Sequence, residues 1–176
     1  MTSEKDTQES HSAIETLSSR QKRIFTFLTE QRTAVLSTVT PEHTPHGTVI
    51  YYTITPDFKL HILTKQGTQK YHNIRHNSQV MLTVFSARSQ TTAQITGHAI
   101  EITDPDHINR VATALFGKAH ASSGLPPIMK LQAGKFTSFQ ITPSQIRIAR
   151  YARPQAGSHD ELFESIESFD LDGNNT

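Results

Sequence analysis

The sequence contains no cysteine. That excludes disulfides, iron–sulfur ligation by thiolates and thiol catalysis. No apolar run approaches the ~20 residues needed to cross a bilayer. The opening MTSEKDTQESHS is polar, so it does not read as a secretory signal. These absences fit a cytoplasmic protein with no membrane partner. No Ser-His-Asp order, paired carboxylates or P-loop stands out, and no basic run or aromatic-rich strand marks a nucleic-acid surface. Tryptophan is missing too.

What is present is 176 residues, enough for one domain with a sizeable core. The formal charge of +1 conceals an asymmetry. Asp160, Glu161, Glu164, Glu167, Asp170 and Asp172 crowd the last stretch, which has no Lys or Arg after Arg153. The rest of the chain is correspondingly basic, which suits an anionic ligand.

Read in order, residues 1–12 form a polar tail with almost no apolar content, expected to be disordered. Ile14 to Glu30 carries Leu17, Ile24, Phe25, Phe27 and Leu28 at helical spacing, with Ser18 or Ser19 as cap. Thr33–Thr40 and Thr48–Thr55 read as strands around a hairpin loop, Pro41–Gly47. Phe58–Thr64 is a third strand and Gln79–Ser86 a fourth. Thr91–Thr103 is a long fifth strand with Gly97 inside it, the mark of a bulge or bend. Asp104-Pro105 opens a helix with Ile108, Val111, Ala112, Leu115 and Phe116 as its buried stripe. Gly117–Pro127 reads as loop and Ile128–Gln132 as one helical turn. Lys135–Thr142 and Gln145–Tyr151 read as two strands separated by Thr142-Pro143-Ser144. The domain spans 13–153. Residues 154–176 form an acidic tail, in which Leu162, Phe163, Ile166 and Phe169 suggest a short docking helix. The short connections demand mostly antiparallel order. The fold class is therefore a β-dominated α+β domain of six or seven strands with peripheral helices.

The stretch KLHILTKQGTQKYHNIRHNSQVMLTVF, Lys59–Phe85, carries the strongest site signal. Leu60, Ile62 and Thr64 alternate with Lys59, His61 and Leu63 along a strand. Lys65-Gln66-Gly67 makes a turn, and Thr68 can cap a short helix, Gln69–Asn77, that turns Tyr71, Ile74 and Arg75 to one side. Backbone N–H groups at a helix start attract phosphate, and Lys65 and Lys70 add positive charge. The same spacing also fits a surface turn with two solvated lysines.

This segment resembles the pyridoxamine 5′-phosphate oxidase-like family of flavin-binding split barrels. In that family a strand ends in Thr, a Gly-Ser/Thr-x-Lys turn follows, and a helix ends near Asn-Pro-x-Val. The matching residues are Thr64, Gly67-Thr68-Gln69-Lys70 and Asn77-Ser78-Gln79-Val80, with Ser78 replacing the Pro. The similarity runs from about Ile24 to Tyr151. It implies a split β-barrel, usually a homodimer with two flavin sites at the subunit interface. It places Thr48, Val49, Ile50 and Tyr51 against the flavin, Leu63 and Thr64 beside it, Gln69 and Lys70 on its phosphate, and Thr92 where the oxidases have Gln; Lys65 joins the candidate cofactor site by its spacing and charge alone.

The departures point away from pyridoxamine 5′-phosphate oxidase itself. The oxidases begin and end the cofactor strand with Arg and Lys, where this chain has Thr48 and Thr53. They close with a Trp-containing, Arg-rich segment, and this chain has no Trp. Arg147, Arg150 and Arg153 read either as groups facing an anion or, the preferred reading, as a charged strand edge. His72 and His76 are spaced i, i+4 but lack the Glu of a His-Glu-x-x-His metal site, and His43 and His46 flank a loop. One of Tyr51 and Tyr52 should pack in the core. The leading expectation is an FMN-binding oxidoreductase passing electrons from NAD(P)H to a small molecule, in which the cofactor carries the chemistry and no catalytic side chain is assigned. The alternatives are a non-catalytic flavin- or haem-binding module, or an F420-dependent reductase.

Overall fold

The computed structural model describes residues 14–117 and 135–151, and the backbone of a strand at Phe163–Glu167. The expected turn at Ile128–Gln132 lies outside the described residues, as do residues 1–12.

Helix α1 (Ser19–Glu30) starts later than the apolar spacing suggests, because Ser18 adopts an extended conformation and caps it. The Ser18 hydroxyl accepts from the Gln21 N–H, and the Gln21 side chain accepts from the Ser18 N–H, a reciprocal capping box. Strands β1 (Thr33–Val39) and β2 (Pro45–Ile54) form a hairpin in register Val35↔Val49. The loop is shorter than expected, since Thr40 N–H donates to Thr44 O at 2.9 Å and His43 takes φ 60. β3 (Leu60–Lys65), α2 (Gln69–His76), β4 (Gln79–Ser86), β5 (Thr91–Ile102) and α3 (Pro105–Phe116) follow. Asp104 caps α3 by accepting from His107 N–H at 2.8 Å, with Pro in the first turn.

The last part of the barrel departs from expectation. A single strand, β6 (Phe136–Arg150), replaces the two expected around Thr142-Pro143-Ser144. Its ladder with β5 continues past Pro143 because the register shifts between Thr96 and Gly97, opposite the proline. A bulge absorbs the residue that cannot donate. A Cβ at Gly97 would sit 2.3 Å from the Thr142 carbonyl oxygen, so this crossing requires glycine. The helix expected over Leu162–Phe169 is also corrected. Phe163–Glu167 is a strand, β7, paired antiparallel with Gln145–Ala149 of β6.

The sheet runs β3-β2-β1-β4-β5-β6-β7, and β3 also pairs with β6. Strands β1 to β6 thus close an antiparallel barrel, and all seven ladders are antiparallel. Closure removes the open edges of the first six strands. β6 serves both neighbours in turn: Phe136–Ile141 pairs with β3, and Gln145–Ala149 with β7.

Leu36, Leu60, Ile62, Leu82, Val84, Ile95 and Ile141 fill the interior. α1 packs against this core with buried Ile24 and Leu28, each contributing ~1.5–3 kcal/mol by burial. Phe25 meets Phe58 edge to face at 5.8 Å. Tyr52 is the buried member of the tyrosine pair. Its hydroxyl donates to Leu28 O at 2.7 Å, and burial pushes its pKa up.

β3 does not alternate between core and water as its sequence suggests. All six of its residues are buried. Leu60 and Ile62 enter the barrel core, while Leu63 packs under Val111, Leu115 and Phe116 of α3. Among the described residues no helix is long and apolar enough to cross a membrane.

Candidate functional site

The site grows from the turn that follows β3. Thr68 precedes α2 in extended conformation, but its hydroxyl does not cap the helix. It donates to the Lys65 carbonyl at 2.8 Å and lies 2.9 Å from the Thr64 hydroxyl. The first turn of α2 therefore has no side-chain cap, and it carries no acidic residue. Uncapped N–H groups with the positive end of the helix dipole favour an anion there.

α2 is held in place by a polar chain centred on the buried Asn73 and Thr38. Gln69 Nε2 donates to Asn73 Oδ1 at 2.8 Å, Asn73 Nδ2 donates to Thr38 Oγ1 at 2.9 Å, and Thr38 Oγ1 donates to His46 O at 3.3 Å. Asn73 is fully buried. Because this chain reaches β1, the position of the helix start is fixed by the barrel rather than by the turn alone. Tyr71 and Ile74 face inward, but Arg75 does not join them. It is exposed, with Nη1 donating to Tyr71 Oη at 2.9 Å and Nε 3.9 Å from Glu101.

Beside the helix start lies a pocket of about 270 Å³. β2 supplies Val49, Ile50 and Tyr51. β3 supplies Leu63, Thr64 and Lys65. Thr68 and Lys70 come from the turn and helix, and Leu115 and Phe116 from α3. One end is cationic and hydroxylated and the other is apolar. Lys70 is half-buried, and burial holds its ammonium below the ordinary lysine range. It has no ion pair or hydrogen bond among the described residues. Lys65 is buried, with Nζ 5.2 Å from the Phe136 ring centroid. The apolar end opens outward, where Val49 is 69% exposed and Tyr51 38%. Both therefore present apolar surface at the pocket mouth.

Seven of the ten residues proposed from sequence line this pocket: Val49, Ile50, Tyr51, Leu63, Thr64, Lys65 and Lys70. The other three lie elsewhere. Thr48 pairs with the fully buried Leu36 and takes the inward side of β2. Gln69 is exposed, with its amide engaged by Asn73. Thr92 pairs with Phe85 and Ala149, separated from β2 by β1 and β4. The sequence reading placed Thr68 as a cap and Leu115 and Phe116 as core. Their place in the pocket depends on α3 returning over β3, which no local spacing signals. His72 and His76 are exposed.

α3 is seated by a second contact. His61 on β3 and His107 on α3 have ring centroids 5.0 Å apart. Nδ1 of His61 and Nε2 of His107 are buried, with no hydrogen-bond partner among the described residues. Burial, then the neighbouring His107, hold the His61 pKa below its ordinary value.

The fold has counterparts among solved structures. A Listeria innocua protein described as a pyridoxamine 5′-phosphate oxidase superposes with TM-score 0.58 at 20% identity, covering 73% of this chain and 96% of that one. A haem-binding protein from Mycobacterium smegmatis gives TM-score 0.64 at 13% identity, over 89% of this chain and 61% of that one. An F420 reductase gives 0.54 at 20% identity, over 68% and 92%. At these identities the likeness is one of fold. No curated protein sequence matches the chain. The family model for pyridoxamine 5′-phosphate oxidase matches residues 21–149, a span that contains the whole pocket. The chain therefore belongs to the pyridoxamine 5′-phosphate oxidase-like family of split barrels.

Proposed function

We propose that the pocket binds FMN and that the protein is a flavin-dependent oxidoreductase, taking reducing equivalents from NAD(P)H and passing them to a small molecule. The observation that carries this reading is Lys70. A half-buried ammonium in a pocket wall, with no anionic partner among the described residues, has lost hydration without gaining a counter-charge. A phosphate monoester supplies that charge, and the uncapped start of α2 adds N–H donors on the same side. Beyond the phosphate end, the apolar outer end of the pocket suits one flank of an aromatic ring system.

Bound flavin would supply the electron-transfer chemistry. The chain's own residues bind and orient. Lys70 neutralises the phosphate, with Thr64 and Thr68 hydroxyls beside it. Val49, Ile50 and Tyr51 flank the ring. Leu115 and Phe116 keep water from its inner edge. The mouth is completed by a second copy of the chain. Val35 and Val49 are paired neighbours on the outer face of the hairpin, and both are exposed. An apolar outer face continuous with a ligand pocket marks an interaction surface, and a homodimer seated there would cover both.

Among the described residues the lining contains no histidine, so they suit a flavin better than a histidine-ligated haem. F420 shares the phosphate-ester chemistry and is the reading to separate from FMN. The absorption spectrum of the purified protein separates them, since flavin, deazaflavin and haem have distinct bands. A protein that takes up none of the three would overturn the cofactor reading.

A further inference from the structure

A second pocket, of about 260 Å³, lies across Tyr51 from the first. The two share Tyr51 and Leu115 as a common wall. Leu28 and Ala114 add apolar surface, while Gln31, Arg32 and Thr53 add polar groups. Among the described residues no carboxylate lines it. Two nearby hydroxyls are already committed, Thr29 to the Phe25 carbonyl at 2.7 Å and Tyr52 to the Leu28 carbonyl at 2.7 Å. Arg32 is different. Its backbone is anchored, with its carbonyl accepting from Tyr52 N–H at 3.2 Å. Its guanidinium has no ion pair or hydrogen bond among the described residues, whereas Lys59 holds Asp57 at 2.8 Å and Arg75 holds Tyr71 at 2.9 Å.

Size and charge together define what fits. A cavity of ~150 Å³ admits a benzene ring, so about 260 Å³ admits one ring with a short substituent. A nicotinamide dinucleotide is too large to enter whole. A guanidinium fork matches a planar carboxylate with two parallel hydrogen bonds. The geometry points to this pocket as the site of the second reactant, a single-ring or similarly sized carboxylate held by Arg32 with its apolar body against Tyr51 and Leu115. The site's role in catalysis rests on the flavin reading above; its binding chemistry does not.

The test is a fluorine NMR titration of the full-length protein with fluorobenzoate and with its neutral isostere fluorobenzamide, with and without FMN. The acid should bind about tenfold more tightly than the amide or better, in both states. Arg32→Gln should bring the acid to the level of the amide, leaving FMN affinity and the unfolding midpoint unchanged, because Arg32 is exposed and outside the first pocket. Arg32→Lys should restore part of the difference. Ala114→Phe, which fills the pocket from α3, should weaken both probes. Equal binding of acid and amide by the wild type, or a difference that persists in Arg32→Gln, would overturn the proposal. Discrimination through Arg32 in a protein that never binds flavin would keep the carboxylate site and remove the cofactor reading.

Discussion

Lys70→Ala removes one ammonium from the wall of the proposed FMN pocket. A hydrogen bond to a charged group contributes about 1.5–3 kcal/mol, and about 1.4 kcal/mol is tenfold in affinity. Lys70 is half-buried, so solvent screens it less than a surface lysine. FMN affinity should therefore fall by about ten- to a hundredfold. Riboflavin lacks the phosphate and should bind almost unchanged. The pH dependence has a fixed sign. Burial lowers the Lys70 pKa in the free protein, and a bound dianion raises it again. FMN affinity should thus be full while Lys70 is protonated and should weaken as pH rises through that lowered value, before the ordinary lysine range is reached. Lys70→Ala should flatten that alkaline limb. The assay is quenching of flavin fluorescence by wild type and variant, with both ligands, across pH. Equal losses for FMN and riboflavin would show that Lys70 supports the fold or the ring pocket. No loss for either would refute the phosphate assignment and leave an ordinary surface turn.

Gly97→Ala places a methyl group against the Thr142 carbonyl; it should destabilise the barrel by about 1–3 kcal/mol, read as a lower urea midpoint, and a wild-type midpoint would contradict the close crossing. Val49→Asp sets a charge on the exposed apolar face and should shift the protein from dimer to monomer in light scattering while weakening FMN binding; a wild type that is monomeric at every concentration would contradict the shared interface. His61 is held below its ordinary pKa of 6.5, so its contribution to stability is present above that value and is lost as pH falls below it. Wild type should therefore lose thermal stability on acidification, and His61→Gln should lose less over the same range. Equal losses would mean that the His61–His107 contact does not respond to pH.

The sequence by itself determined the local features. Asp104-Pro105 caps its helix wherever that helix packs, because the cap uses only neighbouring backbone. The β-rich runs became strands, and the Gly67–Lys70 turn opened a helix, because each depends on the conformational preferences of adjacent residues. Seven of the ten site residues fell on one pocket because they lie on two paired strands and the turn beside them. The tertiary structure decided what depends on distant partners. β6 runs through Pro143 only because Gly97 on β5 leaves room for the crossing. β3 is buried on both faces only because α3 returns across it, which replaced the expected alternation. Residues 163–167 read as one side of a helix, yet pair as a strand along the free half of β6. Thr92 lies outside the pocket because barrel closure sets β5 apart from β2. Spacing along a chain fixes which residues share a face of one element, whereas the ladders and the returning helix fix which faces meet, and those are set by burial summed over the whole barrel.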